Sequence, residues 1–197
     1  MDKIKEFETE IGYIKEDRIK KDACYLIEKL PEYFFNVPAS SSGKYHPIYA
    51  SKEKGLLKHT KAAVRIAHEL LENPIIGNCY SATEKDIIIF GLIIHDGFKM
   101  GEKKQIHTIA EHPLISMEFV EKNKNNLSLN EHELDFLERV IASHMGIWNK
   151  NYQGKEILPI PETKEEILVH ICDYLASRKC ISFEFDDSFN RVARPFR

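Results

Sequence analysis

Apolar residues recur along almost the whole chain at steps of three and four, the spacing of one face of an α-helix, and nowhere in sustained alternation. Tyr13–Leu30 reads as a charged amphipathic helix stopped by Pro31. The stretch Pro31–Ser51, with its prolines and Ser/Gly cluster, reads as an irregular but ordered connection. Gly55–Asn73 is a strong helix, with Leu56, His59, Ala63, Ile66 and Leu70 on one stripe. Ser81 followed by Glu84 resembles a capping box opening a helix through IIIFGLIIHD, which is apolar on every side. Pro113 sits just inside the start of another helix, where its missing N–H costs nothing. Asn130 is placed to cap a helix reaching His144, with Leu134, Leu137 and Ile141 on its stripe. Gly146–Pro161 is a loop, and Glu162 to about Cys180 the last long helix. The expected fold is an all-α helical bundle in a single domain: an N-terminal helical extension packed on the domain (1–30), a main body (31–181) and a tail (182–197) without clear period.

Composition narrows this further. The chain has 197 residues, 43% hydrophobic and 30% charged, with a net charge of -3, which argues against a strong field for nucleic acid or membrane. The most apolar run, Ile87–Ile94, is too short to span a bilayer. The charged opening MDKIKEFETE offers no targeting signal, so a cytoplasmic protein is expected. Cys24, Cys79, Cys172 and Cys180 form no CxxC pair and are expected to be free thiols.

The chemistry lies in the histidines. His59, His112 and His144 each fall on an apolar stripe, and His95 closes the wholly apolar helix. Burying one imidazole is ordinary. Burying four is costly unless something compensates each, and a shared metal ion does. His68, nine residues after His59, lies about half a turn away and should be a surface histidine. The dipeptide His95-Asp96 is weak alone, but it ends a buried helix, so both side chains emerge at one end of the core, with Lys99 in the next turn. Imidazole and carboxylate ligands suit Mn, Fe, Ni, Co or Zn, with Mg also compatible, as one or two ions. His46 reads as either an anchor for its loop or a residue of the site, with the anchor favoured. Trp148 and Tyr152 could stack on a base, and Lys99, Arg178 or Lys44 could meet phosphate.

The segments GLLKHT (55–60), IIHDGFK (93–99), EHP (111–113), SHMG (143–146) and HICDYLASR (170–178) stand in the order H…HD…H…H…D, and FFNVPASSSGKYHP (34–47) precedes them. This pattern resembles the HD superfamily of metal-dependent phosphohydrolases. It is most similar to the HD domain of bacterial 3'-5' exoribonucleases and to small stand-alone HD hydrolases of phages and bacteria. The resemblance implies that His59, His95, Asp96 and Asp173 hold one metal, and that Asp96 bridges to a second completed by His112 and His144. It implies catalytic roles for Asp96 and Lys99, and a role for His170 in supporting Asp173. HDGFK departs from the commoner HDxGK by moving the glycine one position. The expected activity is hydrolysis of a phosphate ester of a nucleotide or nucleic-acid end by metal-activated water. Alternatives are a di-iron oxygenase on the same ligands and a non-catalytic nucleotide-binding module.

Overall fold

A computed structural model of the chain describes residues 2–40 and 46–181. Among them there is no strand, only an isolated bridge between Lys150 and Glu156 in a loop. The helices are α1 (Lys3–Glu6), α2 (Glu8–Ile11), α3 (Asp17–Lys29), α4 (Gly55–Glu72), α5 (Pro74–Gly77), α6 (Ala82–Ile94), α7 (His112–Asn123), α8 (Glu131–Ser143) and α9 (Lys164–Ala176). The bundle is all-α, as the periodicity predicts. No helix among the described residues is long and apolar enough to cross a membrane.

Helix α6 is the axis. From Asp86 to Ile94 every residue is buried. This is the consequence of an apolar surface on all sides, which only a ring of neighbours can cover. Helices α3, α4, α8 and α9 supply that ring, while α7 packs on the outer side of α8 and α4 also runs against α9. Both expected caps of this inner layer form. Ser81 Oγ accepts from Glu84 N at 3.2 Å while Glu84 Oε2 accepts from Ser81 N at 2.6 Å. Asn130 and Glu133 make the same reciprocal pair at the start of α8, both bonds 3.0 Å.

The N-terminal third departs from the sequence reading. Phe7, between α1 and α2, is fully buried, stacked on Phe34 and edge-on to Phe35 of the turn Glu32–Phe35, and Ile11 of α2 is buried with it. The helix expected from Tyr13 starts only at Asp17, because the buried Asp86 carboxylate takes the N–H groups of Lys15 (2.9 Å) and Glu16 (2.7 Å). A backbone that donates to Asp86 cannot also continue a helical ladder. Helix α9 ends at Ala176, earlier than the periodicity predicts, where the Ser177 hydroxyl donates to the Tyr174 carbonyl at 2.7 Å. Cys24, Cys79 and Cys172 are free thiols. The tail 182–197 and Lys44 lie outside the described residues.

Candidate metal centre

Four helix ends and one buried stripe converge on a point at the end of α6. His59 comes from the first turns of α4, its stripe with Leu56 and Ala63 facing the core. His95 and Asp96 follow the last residue of α6, and both are fully buried. His112 opens α7, His144 follows α8, and Asp173 lies in the last turn of α9.

Their side chains form two groups that share Asp96. In the first, His59 Nε2 is 2.7 Å from Asp173 Oδ1 and 3.6 Å from Asp96 Oδ2. His95 Nε2 is 3.4 Å and 3.5 Å from the same two oxygens. In the second, Asp96 turns its other oxygen, Oδ1, to His112 Nε2 at 3.0 Å and His144 Nε2 at 3.7 Å. One carboxylate thus faces two sets of imidazoles, one oxygen to each.

The tautomers follow from the backbone. The Nδ1 atoms of His95, His112 and His144 lie 2.6, 2.6 and 2.7 Å from the carbonyl oxygens of Leu92, Ile109 and Ile141. A carbonyl only accepts, so each Nδ1 carries a proton, and in the neutral ring the Nε2 lone pair faces the centre. His112 Nε2 and His144 Nε2 face each other at 3.3 Å. Two lone pairs at that separation repel, and a cation between them relieves this.

The donor set fits a divalent cation on further grounds. His95 Nε2 and Asp96 Oδ1, the atoms these residues turn to the other donors, are buried without a hydrogen-bond partner. Burial alone would raise the carboxyl of Asp96, but Lys99 and His95 outweigh it and hold it ionised, far below the usual range. Asp173 is held down in the same way by His59 and His95. Burial likewise opposes charge on His95, yet Asp96 and Asp173 lift it to about 10; that field draws in any cation. His144, where burial dominates, is depressed to about 4 and stays neutral. The donors are nitrogen and oxygen only. Cys172, next to Asp173, is a thiol pushed up to about 12 by burial and belongs to neither group.

The other expected residues are dispersed around this point. Lys99 pairs with Asp96 Oδ2, so it balances the shared carboxylate from beside the centre. Trp148 is 45% exposed and stacks on Tyr174 with centroids 5.5 Å apart, and the Arg178 guanidinium covers the Tyr174 ring at 4.4 Å. Tyr152 is 84% exposed, and its hydroxyl donates to the Thr108 carbonyl at 2.6 Å, tying the two loops that flank His112 and His144. His170 does not brace Asp173 as expected; its Nδ1 donates to the His144 carbonyl at 2.7 Å, which steadies the second group instead. His68 is on the far side, stacked on Tyr13 at 3.8 Å. His46 makes no anchoring bond through Nδ1, which is buried without a partner, and its ring packs edge-on against His59, so the site reading is the one its contacts favour.

A groove of about 550 Å³ opens beside Lys99, walled by Val37, Pro38, Leu56 and Met100 and rimmed by Lys104 and His107. Sequence reading passed over it because the loop 99–111 has no period; its three lysines, Lys99, Lys103 and Lys104, were the available signal. No family model matches the chain, and no curated protein or solved structure matches it either.

Proposed function

We propose that the protein is a metal-dependent phosphohydrolase of the HD type, cleaving a phosphate ester of a nucleotide or of a nucleic-acid end. The observation that carries this reading is the division of Asp96, with one carboxylate oxygen toward His59, His95 and Asp173 and the other toward His112 and His144. Such a set suits two neighbouring divalent cations, which, when bound, offset phosphate charge and acidify the attacking water.

The chain's own contribution is orientation and charge. The carbonyls of Leu92, Ile109 and Ile141 lock three imidazoles in the ligating tautomer, a role that supporting hydrogen bonds commonly play around metal sites. His59, Asp96 and Asp173 supply the remaining donors. Lys99, held on Asp96, adds positive charge next to the place where an anionic ester must approach. The groove beside Lys99 gives room for the organic part of the ester, and the Trp148–Tyr174–Arg178 stack offers an aromatic surface to a base. In the net reaction a water oxygen bonds to phosphorus, the ester P–O bond breaks, and the departing alcohol takes up a proton.

The test is a panel of nucleotides and short oligonucleotides, assayed with Mn, Ni, Co and Mg added singly. Phosphate or nucleotide release that needs added metal and is lost in Asp96→Asn supports the reading. Stoichiometric metal binding without hydrolysis of any phosphate ester refutes it, and oxygen uptake by an iron-loaded sample points instead to an oxygenase.

A further inference from the structure

The loop that carries His46 is held by atoms other than its histidine. The Tyr49 hydroxyl donates to the Ala176 carbonyl at the end of α9 at 3.0 Å, and the Ala39 N–H donates to the Ala50 carbonyl at 2.9 Å. The same Ala50 carbonyl lies where a Cβ on Gly55 would sit, 2.2 Å away, so the loop seats directly on the start of α4. These contacts fix the turn Ile48–Ala50 that follows His46 without using the imidazole.

The imidazole packs against a residue of the centre. Its ring lies 5.1 Å from that of His59 at an interplanar angle of 74°. Lys99, Asp96 and Asp173 are the charges it feels besides His59. Its Nδ1 is buried with no hydrogen-bond partner. A buried nitrogen left unpaired is costly, and native structures retain few; one at the edge of a reaction centre is explained when a ligand supplies the missing partner.

We propose that His46 is a substrate contact of this site, donating a hydrogen bond from its ring to a non-bridging oxygen of the bound phosphate. The inference rests on the phosphate-ester reading above. It adds a donor from a loop beside His59, so that the phosphate would be held by the chain as well as by the cations. His46 is not a metal ligand, because it belongs to neither converging group.

The experiment measures orthophosphate affinity by calorimetry on the manganese-loaded protein, for wild type, His46→Ala and His46→Asn, with metal content and melting temperature recorded for each. His46→Asn keeps an amide N–H close to the Nδ1 position. We expect unchanged metal content in both variants, about tenfold weaker orthophosphate binding in His46→Ala, as for loss of one hydrogen bond to a charged group, and partial recovery in His46→Asn. Equal affinity in wild type and His46→Ala overturns the inference, as does a loss of bound metal in His46→Ala, which would make the residue a ligand. Orthophosphate binding that depends on His46 in a protein that hydrolyses no ester refutes the hydrolase reading alone. Absence of orthophosphate binding by wild type refutes both.

Discussion

Replacing Asp96 by Asn tests the shared carboxylate directly. Asn keeps the volume but removes the charge, and Asp96 alone belongs to both groups of donors. A ligand that binds only the folded state stabilises it by about 2.7 kcal/mol at a hundredfold excess over its Kd. For a domain of this size ~1 kcal/mol moves the melting temperature by roughly 2–4 °C, so one occupied site should raise it by about 5–11 °C. Wild type with manganese should show at least that rise. Asp96→Asn should show almost none. His112→Ala should keep part of it, since His59, His95, Asp96 and Asp173 remain, and His68→Ala should keep all of it. The metal-free Asp96→Asn protein will itself melt lower, because it leaves Lys99 and His95 without their buried counter-charge, so the metal-induced rise is the quantity to compare. Scanning calorimetry with and without chelator, with metal per chain by mass spectrometry, reads it. The expected stoichiometries are two ions in wild type, one in His112→Ala and none in Asp96→Asn. A full rise in Asp96→Asn would refute the shared site, and a fully active wild type holding one ion would refute the second.

Two further substitutions probe the surroundings. Gly146 has φ +58°, and a Cβ there would lie 2.3 Å from His170 Cε1, so Gly146→Ala should cost about 2–4 kcal/mol in chemical denaturation from left-handed strain and overpacking together. It should also weaken the second ion's binding in a metal titration, because His170 would release the His144 carbonyl; unchanged affinity would refute that link. At the surface, burial and the neighbouring carboxyl of Glu121 raise Glu138 to about 7. An acid whose folded pKa lies above its unfolded value stabilises at low pH, and that contribution fades as pH rises from about 4.5 through 7. Glu138→Gln mimics the protonated form, so it should match wild type at pH 5 and melt about 2–4 °C higher at pH 8, the equivalent of ~1 kcal/mol after allowing for solvent screening. Identical differences at both pH values would refute the shift.

The clustered histidines were readable because helical phase is a local property, whereas Asp173 was expected only from the resemblance of its segment to the HD pattern. Leu56, His59 and Ala63 share a face by spacing alone, and a helix as apolar as α6 had to be central, so whatever followed it had to emerge in the core. What sequence could not give were contacts set by distant partners. Asp86 captures the N–H groups of Lys15 and Glu16 from about seventy positions away and cuts an expected helix short. His170 sits three positions before Asp173, which suggested support of that residue, but its ring reaches the His144 carbonyl across α8 and α9. His46 reads from sequence as an anchor or a site residue, and only the bond from Tyr49 to the Ala176 carbonyl shows what else holds that loop. Phe7 lies among charges in sequence and entered the core through two other phenylalanines.

The position of the centre also explains how so many buried polar groups are tolerated. The last carbonyls of a helix have no partner within it. At the ends of α6 and α8 those of Leu92 and Ile141 are met by the Nδ1–H groups of His95 and His144, the residues that follow each helix. One hydrogen bond therefore does two things: it caps the helix, and it turns the opposite ring nitrogen into a lone pair facing Asp96. Asp173 lies in the last turn of α9, so three helices bring their negative ends toward one point, against the single positive end of α7 at His112. That field favours a cation and opposes an anion. A phosphate could be drawn there only by positive charge in the centre itself, by Lys99 beside it, and by neutral donors such as His46.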